Sequence, residues 1–411
     1  MTQKVFPKHR LAYLLIFGLF ALWGLGHRLY DTLVPDFAKA FGLDSVELVV
    51  TQSAYSLVYF LFAIPAALYT RTFGCKAGVV FGLGAWCVGA FLFYPAAQQH
   101  EFLFFLFAAA VMSLGYIFLE ISVNPVVARM GPPESAIRRL NIAHALYPIG
   151  VLAGVYVGRW IVLRNLELPI GKLANAVVQP YMVLGGFVLL LAFVAEYIPF
   201  PELARAREGR RGALKEYRIL LSRPRFLAAF GAQICNVAAM AGTWTLSAWY
   251  IGYAMPGATE ALAADFLLLS LVVFAAGRMA GAALMFRFDP NRLLLLFALS
   301  GVAFGTIATF FGGETGVYAM VASSFSVSIM FATILGSAIR DLGPLTKAGT
   351  ALIYMGGAGS AVGVALMHLV WTYSSIQYAM LVPTLGYAGI VAYALYNRRS
   401  GAPAALPQPA E

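Results

Sequence analysis

Long apolar runs separated by short polar connections dominate the pattern along this chain. Twelve of the runs reach about 20 residues, the length at which an α-helix crosses the hydrocarbon core of a bilayer. Polarity does not alternate at every second residue within them, as it does in the strands of a membrane β-barrel. The pattern predicts an all-α membrane protein whose transmembrane helices lie at approximately 11–36, 46–69, 77–97, 102–128, 139–162, 178–199, 226–254, 260–286, 292–312, 315–338, 346–371 and 375–396.

One long polar connection, which contains ELARAREGRRGALKEYR, interrupts the apolar pattern near the middle of the chain. Its basic residues are typical of a cytoplasmic connector, and equal numbers of predicted spans lie before and after it. The sequence therefore predicts an N-terminal six-helix half at 1–200, a cytoplasmic linker at 201–225, a C-terminal six-helix half at 226–398 and a cytoplasmic tail at 399–411.

Two similar segments indicate that the halves are repeats of one another. AALYTRTFGCK, at 66–76, follows the second predicted span, and AALMFRFDPNR, at 282–292, follows the eighth. Each places two basic residues five positions apart, and a Gly-Pro turn follows both the fourth and the tenth spans. Two parallel six-helix repeats are typical of transporters whose solute site lies between the halves, near the midplane of the membrane.

Composition and charge agree with a membrane protein and fix the expected orientation. Hydrophobic residues make up 61% of the chain, charged residues make up 11%, and the mean hydropathy is +0.79. The net charge is +10. Because most of the Lys and Arg residues fall on one side of the predicted spans, the positive-inside rule places both termini in the cytoplasm of a bacterium, with the chain in its inner membrane. Contact with anionic lipid headgroups accounts for this charge, so no nucleic-acid partner is predicted. The basic residues outside the cytoplasmic side are Lys39, Arg159, Arg164 and Lys172 on the opposite side, and Arg28 within the first span.

The sequence contains no recognisable motif of an enzyme or of a metal site. Its cysteines, Cys75, Cys87 and Cys235, are scattered and lack metal-ligand spacing. A phosphate-binding glycine loop, an HExxH zinc motif and a GxSxG nucleophile elbow are all absent from the sequence. We therefore predict neither a cofactor nor a metal, and no enzymatic activity.

FLEISVNP, at 118–125, places a carboxylate and an amide inside an apolar span. Glu120 and Asn124 are four residues apart, so a helix presents them on one face. Ionisable residues within spans are costly, and they usually face the bundle interior and mark pathways. Pro125 removes a main-chain donor, which is tolerated where neighbouring helices or a cavity supply partners. The pattern favours a functional acid at Glu120, and the alternative is a protonated side chain hydrogen-bonded to a neighbouring helix.

A second ionisable group, His27, Arg28 and Asp31, lies in the first span. One interpretation is a local ion pair between Arg28 and Asp31 that neutralises both charges. The other is a proton carrier, since a buried carboxyl group exchanges its proton with whichever side of the membrane is open to water. The two interpretations are compatible, because His27 or Arg28 could tune the protonation of Asp31.

His144 and several aromatic residues have more than one interpretation. His144 shares a helix face with Asn141, and a single histidine in a span is either a packing residue or a proton relay. Tyr55, Tyr59 and Trp244 could face lipid, as most aromatic residues of membrane proteins do. A ring that stacks on the apolar face of a sugar, beside carboxylates and amides, is the other possibility.

Several segments resemble the fucose–proton symporter family of the major facilitator superfamily. The most specific is an E-x-x-x-N-P motif followed by a Gly-Pro turn and an RLN segment, and the resemblance spans most of the chain. The segments that carry it are DTLVPDFAKAF (31–41), QSAYSLVYFLFAIPAALY (52–69), EISVNPVVARMGPPES (120–135), RRLNIAHA (138–145), VVQPYM (177–182), FGAQICNVAAMAGTW (230–244) and AIRDLGPLTKAGTALI (338–353).

The resemblance implies a fold and a set of roles. The family's acid in the first helix, associated with protonation, corresponds to Asp31, and its acid in the fourth helix, associated with sugar recognition and coupling, corresponds to Glu120. His27 and Arg28 would modulate this coupling. The residues predicted to bind the substrate are Gln52, Glu120, Asn124, Asn141, His144, Gln233, Asn236 and Trp244.

The chain also departs from the family pattern. The symporters carry paired amides where this chain has His27 and Arg28, an asparagine where it has Tyr147, and glutamines where it has Met240 and Met330. A pocket tuned to hydrogen bonds discriminates sharply between substrates. The substrate is therefore expected to be a sugar or related polyol that need not be fucose.

Together these observations predict a monomeric carrier that imports a fucose-like hexose or another monosaccharide with a proton by alternating access. One alternative is a sodium-coupled or uncoupled sugar or polyol facilitator, which a measurement of pH during uptake distinguishes. An alternative of another class is a sugar-sensing or scaffolding membrane protein, which would show no counterflow in proteoliposomes.

Overall fold

A computed structural model describes the backbone of residues 10–41, 45–99, 101–164, 170–200 and 210–399. Side chains are described for 10–30, 55–99, 101–161, 164, 178–200 and 215–399. Within these residues the regular elements are helices, and no strand occurs.

The described residues contain 12 helical segments that are long and apolar enough to cross a membrane. This number confirms the predicted all-α membrane fold with twelve spans. Large apolar side chains are exposed on the outer surfaces of the helices, as lipid-facing positions require. Examples are Leu103, Val183, Phe193 and Phe310.

The chain divides into two compact units, and the first comprises Met1–Met130 and Ile149–Ala213. Its long helices pack as neighbours, with α4 between α2 and α3 and with α7 against α1 and α3. These helices are α1 (Arg10–Phe41), α2 (Ser45–Phe73), α3 (Cys75–Gln99), α4 (Phe102–Arg129), α6 (Tyr147–Arg164) and α7 (Ile170–Tyr197).

The second unit comprises Gly131–Pro148 and Leu214–Glu411. It therefore includes α5 (Ala136–His144), which packs against α11 and α14. The limits predicted for the two halves remain a prediction. The unit's other helices are α8 (Arg210–Leu221), which begins in the first unit, α9 (Pro224–Thr245), α10 (Ser247–Ala254), α11 (Glu260–Leu284), α12 (Pro290–Phe310), α13 (Gly313–Val327), α14 (Met330–Ile339), α15 (Thr346–Met355), α16 (Gly359–Tyr373), α17 (Ile376–Ala379) and α18 (Leu381–Arg399).

Several predicted spans are interrupted, which the apolar pattern did not reveal. The span predicted at 315–338 divides into α13 and α14 around Ser328, and the span at 226–254 divides into α9 and α10 around Leu246. The hydroxyls of Ser328 and Ser247 donate to the main-chain oxygens three residues earlier, Phe325 and Trp244. A serine hydroxyl that bonds to a nearby carbonyl competes with the regular helical pattern, so the breaks occur where the sequence remains apolar overall.

Glycines allow α16 to pack closely against α9. A Cβ atom at Gly359 would lie 2.3 Å from the main-chain oxygen of Ile234, and one at Gly363 would lie 2.5 Å from that of Ala238. Any larger residue at either position would push the two backbones apart. This contact fixes the middle of α9, where Gln233 and Asn236 lie.

Candidate functional site

Glu120 lies in the middle of α4, with its carboxyl group held by a tyrosine from α2. The hydroxyl of Tyr59 donates a hydrogen bond to Glu120 Oε1 over 2.5 Å. Both residues are buried, with 5% of Tyr59 and 6% of Glu120 exposed. A buried ionisable group needs such a partner, because burying a charge alone is costly. We call this pair the carboxylate site.

Aromatic rings from α1, α2, α3 and α4 form a series of contacts that begins at Tyr59 of the carboxylate site. The ring of Tyr55 lies 4.3 Å from that of Tyr59. His27 meets Tyr55 edge-on at 4.8 Å and Tyr116 at 4.3 Å, and Tyr116 in turn meets Trp86 at 4.7 Å. This aromatic cage connects the coupling modulator predicted on α1 to the acid on α4.

Asn124 is fully buried one turn after Glu120 on α4. Its Nδ2 atom donates to the main-chain oxygen of Glu120 over 3.0 Å. The amide nitrogen is therefore folded back on its own helix. The two side chains predicted to share a ligand lie on one helix face, as their spacing required.

The second unit contains a pair of buried amides one turn apart on α9. Gln233 and Asn236 are both 0% exposed. Neither the oxygen nor the nitrogen of either amide has a hydrogen-bond partner among the residues that the structure describes. Buried polar groups are almost always hydrogen-bonded, and exceptions call for a functional or structural explanation. We call these two residues the amide pair.

Trp244 lies two turns beyond Asn236 near the end of α9. Its Nε1 atom donates to Ser324 Oγ over 3.1 Å, and its ring meets Phe274 edge-on at 5.2 Å. Trp244 thus joins α9 to α13 and α11 within the second unit, and its ring packs inside the unit.

Arg278, on α11, is a buried cation that connects Phe274 to the end of α5. Its Nε atom donates to the main-chain oxygen of Ser328 over 2.6 Å, and its Nη1 atom donates to that of His144 over 3.4 Å. The guanidinium also lies 4.5 Å from the ring of Phe274 and 5.9 Å from that of Tyr147. Both carbonyls lie at C-terminal ends of helices, where the helix dipole favours a cation, and the rings add a cation–π attraction.

Asn141 and His144 lie on α5 beside this cation. Asn141 Nδ2 donates to the main-chain oxygen of Ile137 over 3.0 Å and to Thr333 Oγ1, on α14, over 3.1 Å. Its Oδ1 atom has no partner within the described part of the chain. The ring of His144 lies 5.8 Å from that of Phe331. The structure thus brings Asn141, His144 and Trp244 into one connected group in the second unit.

Comparisons with known proteins identify the family. The chain matches the family model of the Major Facilitator Superfamily over residues 13–368. It is 32% identical to the L-fucose-proton symporter of Escherichia coli (strain K12) over 406 residues, which cover 94% of this chain and 93% of the relative. The chain belongs to the fucose–proton symporter family of the major facilitator superfamily.

Other members and a solved structure agree with this assignment. The glucose/galactose transporter of Brucella abortus biovar 1 (strain 9-941) is 27% identical over 389 residues, with 93% of each chain covered. The crystal structure of FucP, a major facilitator superfamily transporter, in the outward conformation matches with a TM-score of 0.87 at 31% identity. That match covers 94% of this chain and 98% of FucP. As a member of this symporter family, the chain is a multi-pass membrane transporter and not an enzyme.

Two residues of the predicted symporter site, Asp31 and Gln52, have side chains outside those that the structure describes. Arg28 is described, and its Cβ atom lies against Gly154 of α6. Within the described residues, no group of three or more His, Cys, Asp or Glu side chains could hold a metal ion.

Two features of this transporter were not predicted from the sequence. The partner of Glu120 is Tyr59, 61 residues away, and no local pattern marks such a distant contact. The second feature is Arg278, which joins α5, α11 and the α13–α14 interruption. Its burial in an apolar span was a signal for such a role.

Proposed function

We propose that this chain imports a monosaccharide together with a proton across the inner membrane of a bacterium by alternating access. The observation that supports this most directly is the amide pair, because Gln233 and Asn236 offer two amide nitrogens and two amide oxygens that the described protein residues do not use. A sugar hydroxyl can donate a hydrogen bond to an amide oxygen and accept one from an amide nitrogen, so it can pair with either end of a side-chain amide. The family relatives named as fucose–proton symporters and glucose/galactose transporters support a sugar and a proton as the substrates.

The carboxylate site supplies the proton-carrying chemistry in this proposal. Glu120 is a buried carboxyl group in a membrane span, and Asp31 is the second candidate acid. Coupling requires that the loaded carrier and the empty carrier reorient readily, whereas a carrier with only one of its two ligands does not. Protonation of Asp31 or Glu120 would neutralise the charge at the moment of movement.

Sugar recognition would depend on polar and aromatic side chains predicted from the sequence. Trp244 would offer a ring for the apolar face of the sugar, and the amides and His144 would bind its hydroxyls. His27 and Arg28 would modulate the protonation of the acids. The proposed sugar-binding residues are Gln52, Glu120, Asn124, Asn141, His144, Gln233, Asn236 and Trp244.

The test is a measurement of external pH in a lightly buffered, de-energised suspension of cells that express the protein. L-Fucose, D-galactose, D-glucose, other deoxyhexoses, pentoses and disaccharides are added in turn. Alkalinisation with one sugar, lost in Asp31→Asn, supports proton symport and identifies the substrate. Cells that carry the empty vector are the control.

Other outcomes distinguish the alternatives. Counterflow of a labelled sugar without a pH change favours an uncoupled carrier or, where uptake depends on sodium, a sodium symporter. Absence of counterflow for the whole panel in proteoliposomes would contradict the proposal and favour a sensor or scaffold. Labelling of single cysteines near each terminus, in intact and permeabilised cells, tests the proposed cytoplasmic location of both termini.

A further inference from the structure

The hydrogen bond from Tyr59 occupies the carboxyl group that is proposed to bind the sugar, Glu120. A carboxyl group in the middle of a span needs a hydrogen-bond donor throughout the transport cycle, because an unpartnered buried acid is costly. In the structure the hydroxyl of Tyr59 is one such donor. The hydroxyl belongs to a different helix from Glu120, so it can be exchanged for another donor without breaking α4.

A phenol hydroxyl and a sugar hydroxyl offer the same donor chemistry to a carboxylate oxygen. A sugar hydroxyl that donates to Glu120 Oε1 would occupy the position that Tyr59 Oη holds at 2.5 Å. Tyr59 is 5% exposed and its ring lies against that of Tyr55. The tyrosine is therefore held by its ring as well as by its hydroxyl, and it can keep its ring contacts while its hydroxyl bond is exchanged.

We propose that Tyr59 is a positioning residue that holds Glu120 in the sugar-free carrier and that the arriving sugar displaces its hydroxyl from the carboxyl group. The inference rests on the proposed function and adds an exchange step to it. The exchange makes Tyr59 a competitor of the sugar for Glu120. It also ensures that the acid has a donor both before and after the sugar binds.

Removing a side chain that competes with the sugar strengthens sugar binding, whereas removing a side chain that binds the sugar weakens it. If Tyr59 competes with the sugar, then Tyr59→Phe lowers the sugar concentration that gives half-maximal counterflow. If Tyr59 instead bound the sugar directly, the same change would raise that concentration. A purely structural role would reduce the amount of folded protein and leave the half-saturating concentration unchanged.

The first experiment measures counterflow in proteoliposomes with labelled L-fucose, D-galactose or D-glucose, using whichever of these the unaltered protein carries. We expect Tyr59→Phe to lower the half-saturating concentration about tenfold, which corresponds to about 1.4 kcal/mol, the size of one net hydrogen bond. Tyr69→Phe is the matched control. It removes a hydroxyl from the same helix, where the ring of Tyr69 packs on Phe73, Phe81 and Phe118 and not on Glu120.

A second experiment tests the Tyr59 contact without any transported sugar. Infrared spectra are recorded for the purified protein without sugar. Subtracting the spectrum of Glu120→Gln from that of the unaltered protein should isolate the band of the Glu120 carboxyl group. We expect this band to move in Tyr59→Phe, because one hydrogen bond to the carboxyl group is gone, and to stay in place in Tyr69→Phe. Addition of the transported sugar should bring the Glu120 band of the unaltered protein and that of Tyr59→Phe closer together in frequency.

The two experiments separate this inference from the proposed function. Failure of every sugar to give counterflow in the unaltered protein would contradict the proposed function. A raised or unchanged half-saturating concentration in Tyr59→Phe, or an infrared band that Tyr59→Phe does not move, would overturn the exchange itself.

Discussion

The carboxylate site and the amide pair are buried to a similar degree but are partnered in opposite ways. Glu120 accepts from Tyr59, and Asn124 beside it donates to a main-chain oxygen. Gln233 and Asn236 are fully buried, and none of their amide atoms is bonded to another residue in the described part of the chain. Burial alone therefore does not decide which polar groups find partners.

The difference follows from charge. A carboxyl group that ionises inside a membrane protein costs far more to leave alone than a neutral amide does. An unpartnered buried amide still carries a penalty of about 1–3 kcal/mol, which a bound ligand can relieve. The acid of the first unit thus has a partner within the protein, whereas the two amides of the second unit have none among the described residues.

The largest predicted effect, on sugar accumulation, comes from replacing Glu120, the acid of the carboxylate site. This change also removes the contrast with the amide pair. Glu120→Gln keeps the shape of the side chain but cannot carry a proton, so gradient-driven accumulation should fall to an inside-to-outside ratio of about one. Accumulation of labelled sugar in energised cells measures this. Glu196→Gln is the control, because Glu196 is an exposed partner of Lys76 in the same unit. Full accumulation in Glu120→Gln would show that proton coupling does not need this acid.

The next effect concerns the amide pair. Gln233→Leu removes one donor and one acceptor for a sugar, so we expect KM for uptake to rise about 10- to 100-fold. Gln377→Leu is the control, since the Gln377 amide nitrogen donates to the main-chain oxygen of Thr309. An unchanged KM in Gln233→Leu would mean that this amide does not contact the substrate.

A smaller effect, on stability, is expected when either of two fully buried asparagines, Asn236 and Asn124, is replaced by leucine. In the sugar-free protein Asn236→Leu should raise the melting temperature by a few degrees, because an unpartnered amide is removed. Asn124→Leu should lower it, because that amide is bonded to the main chain of Glu120. Fluorescence melting curves in detergent measure both. A loss of stability in both variants would contradict the distinction between the two sites.

The smallest predicted effect, on initial uptake, comes from replacing His27 in the aromatic cage. His27→Asn introduces an amide at this position, and His27 is connected to Glu120 through the rings of Tyr55 and Tyr59. An aromatic contact contributes about 0.5–1.5 kcal/mol, so initial uptake should change by no more than about tenfold in this variant. Uptake against external pH measures it. A total loss of proton-coupled uptake would assign His27 a direct part in coupling.

Much of the fold could be predicted from the sequence, because its signals are local. The length of each apolar run predicted the twelve spans, since a helix must satisfy its own main chain within lipid. Side-chain periodicity placed Glu120 and Asn124 on one face, and the low frequency of ionisable residues in spans identified Glu120 as a candidate.

Only the tertiary structure decided which of these side chains meet. The contact of Tyr59 with Glu120 joins residues 61 positions apart, and that of Asn141 with Thr333 joins residues 192 apart. The interruption at Ser328 is also invisible in an apolar run, although it exposes a main-chain oxygen that Arg278 binds. The chain by itself determines which groups must leave water, because transfer to lipid is a property of each segment. Whether a buried group then finds a partner among the described residues, as Glu120 does, or finds none there, as Gln233 does, depends on how separate helices pack.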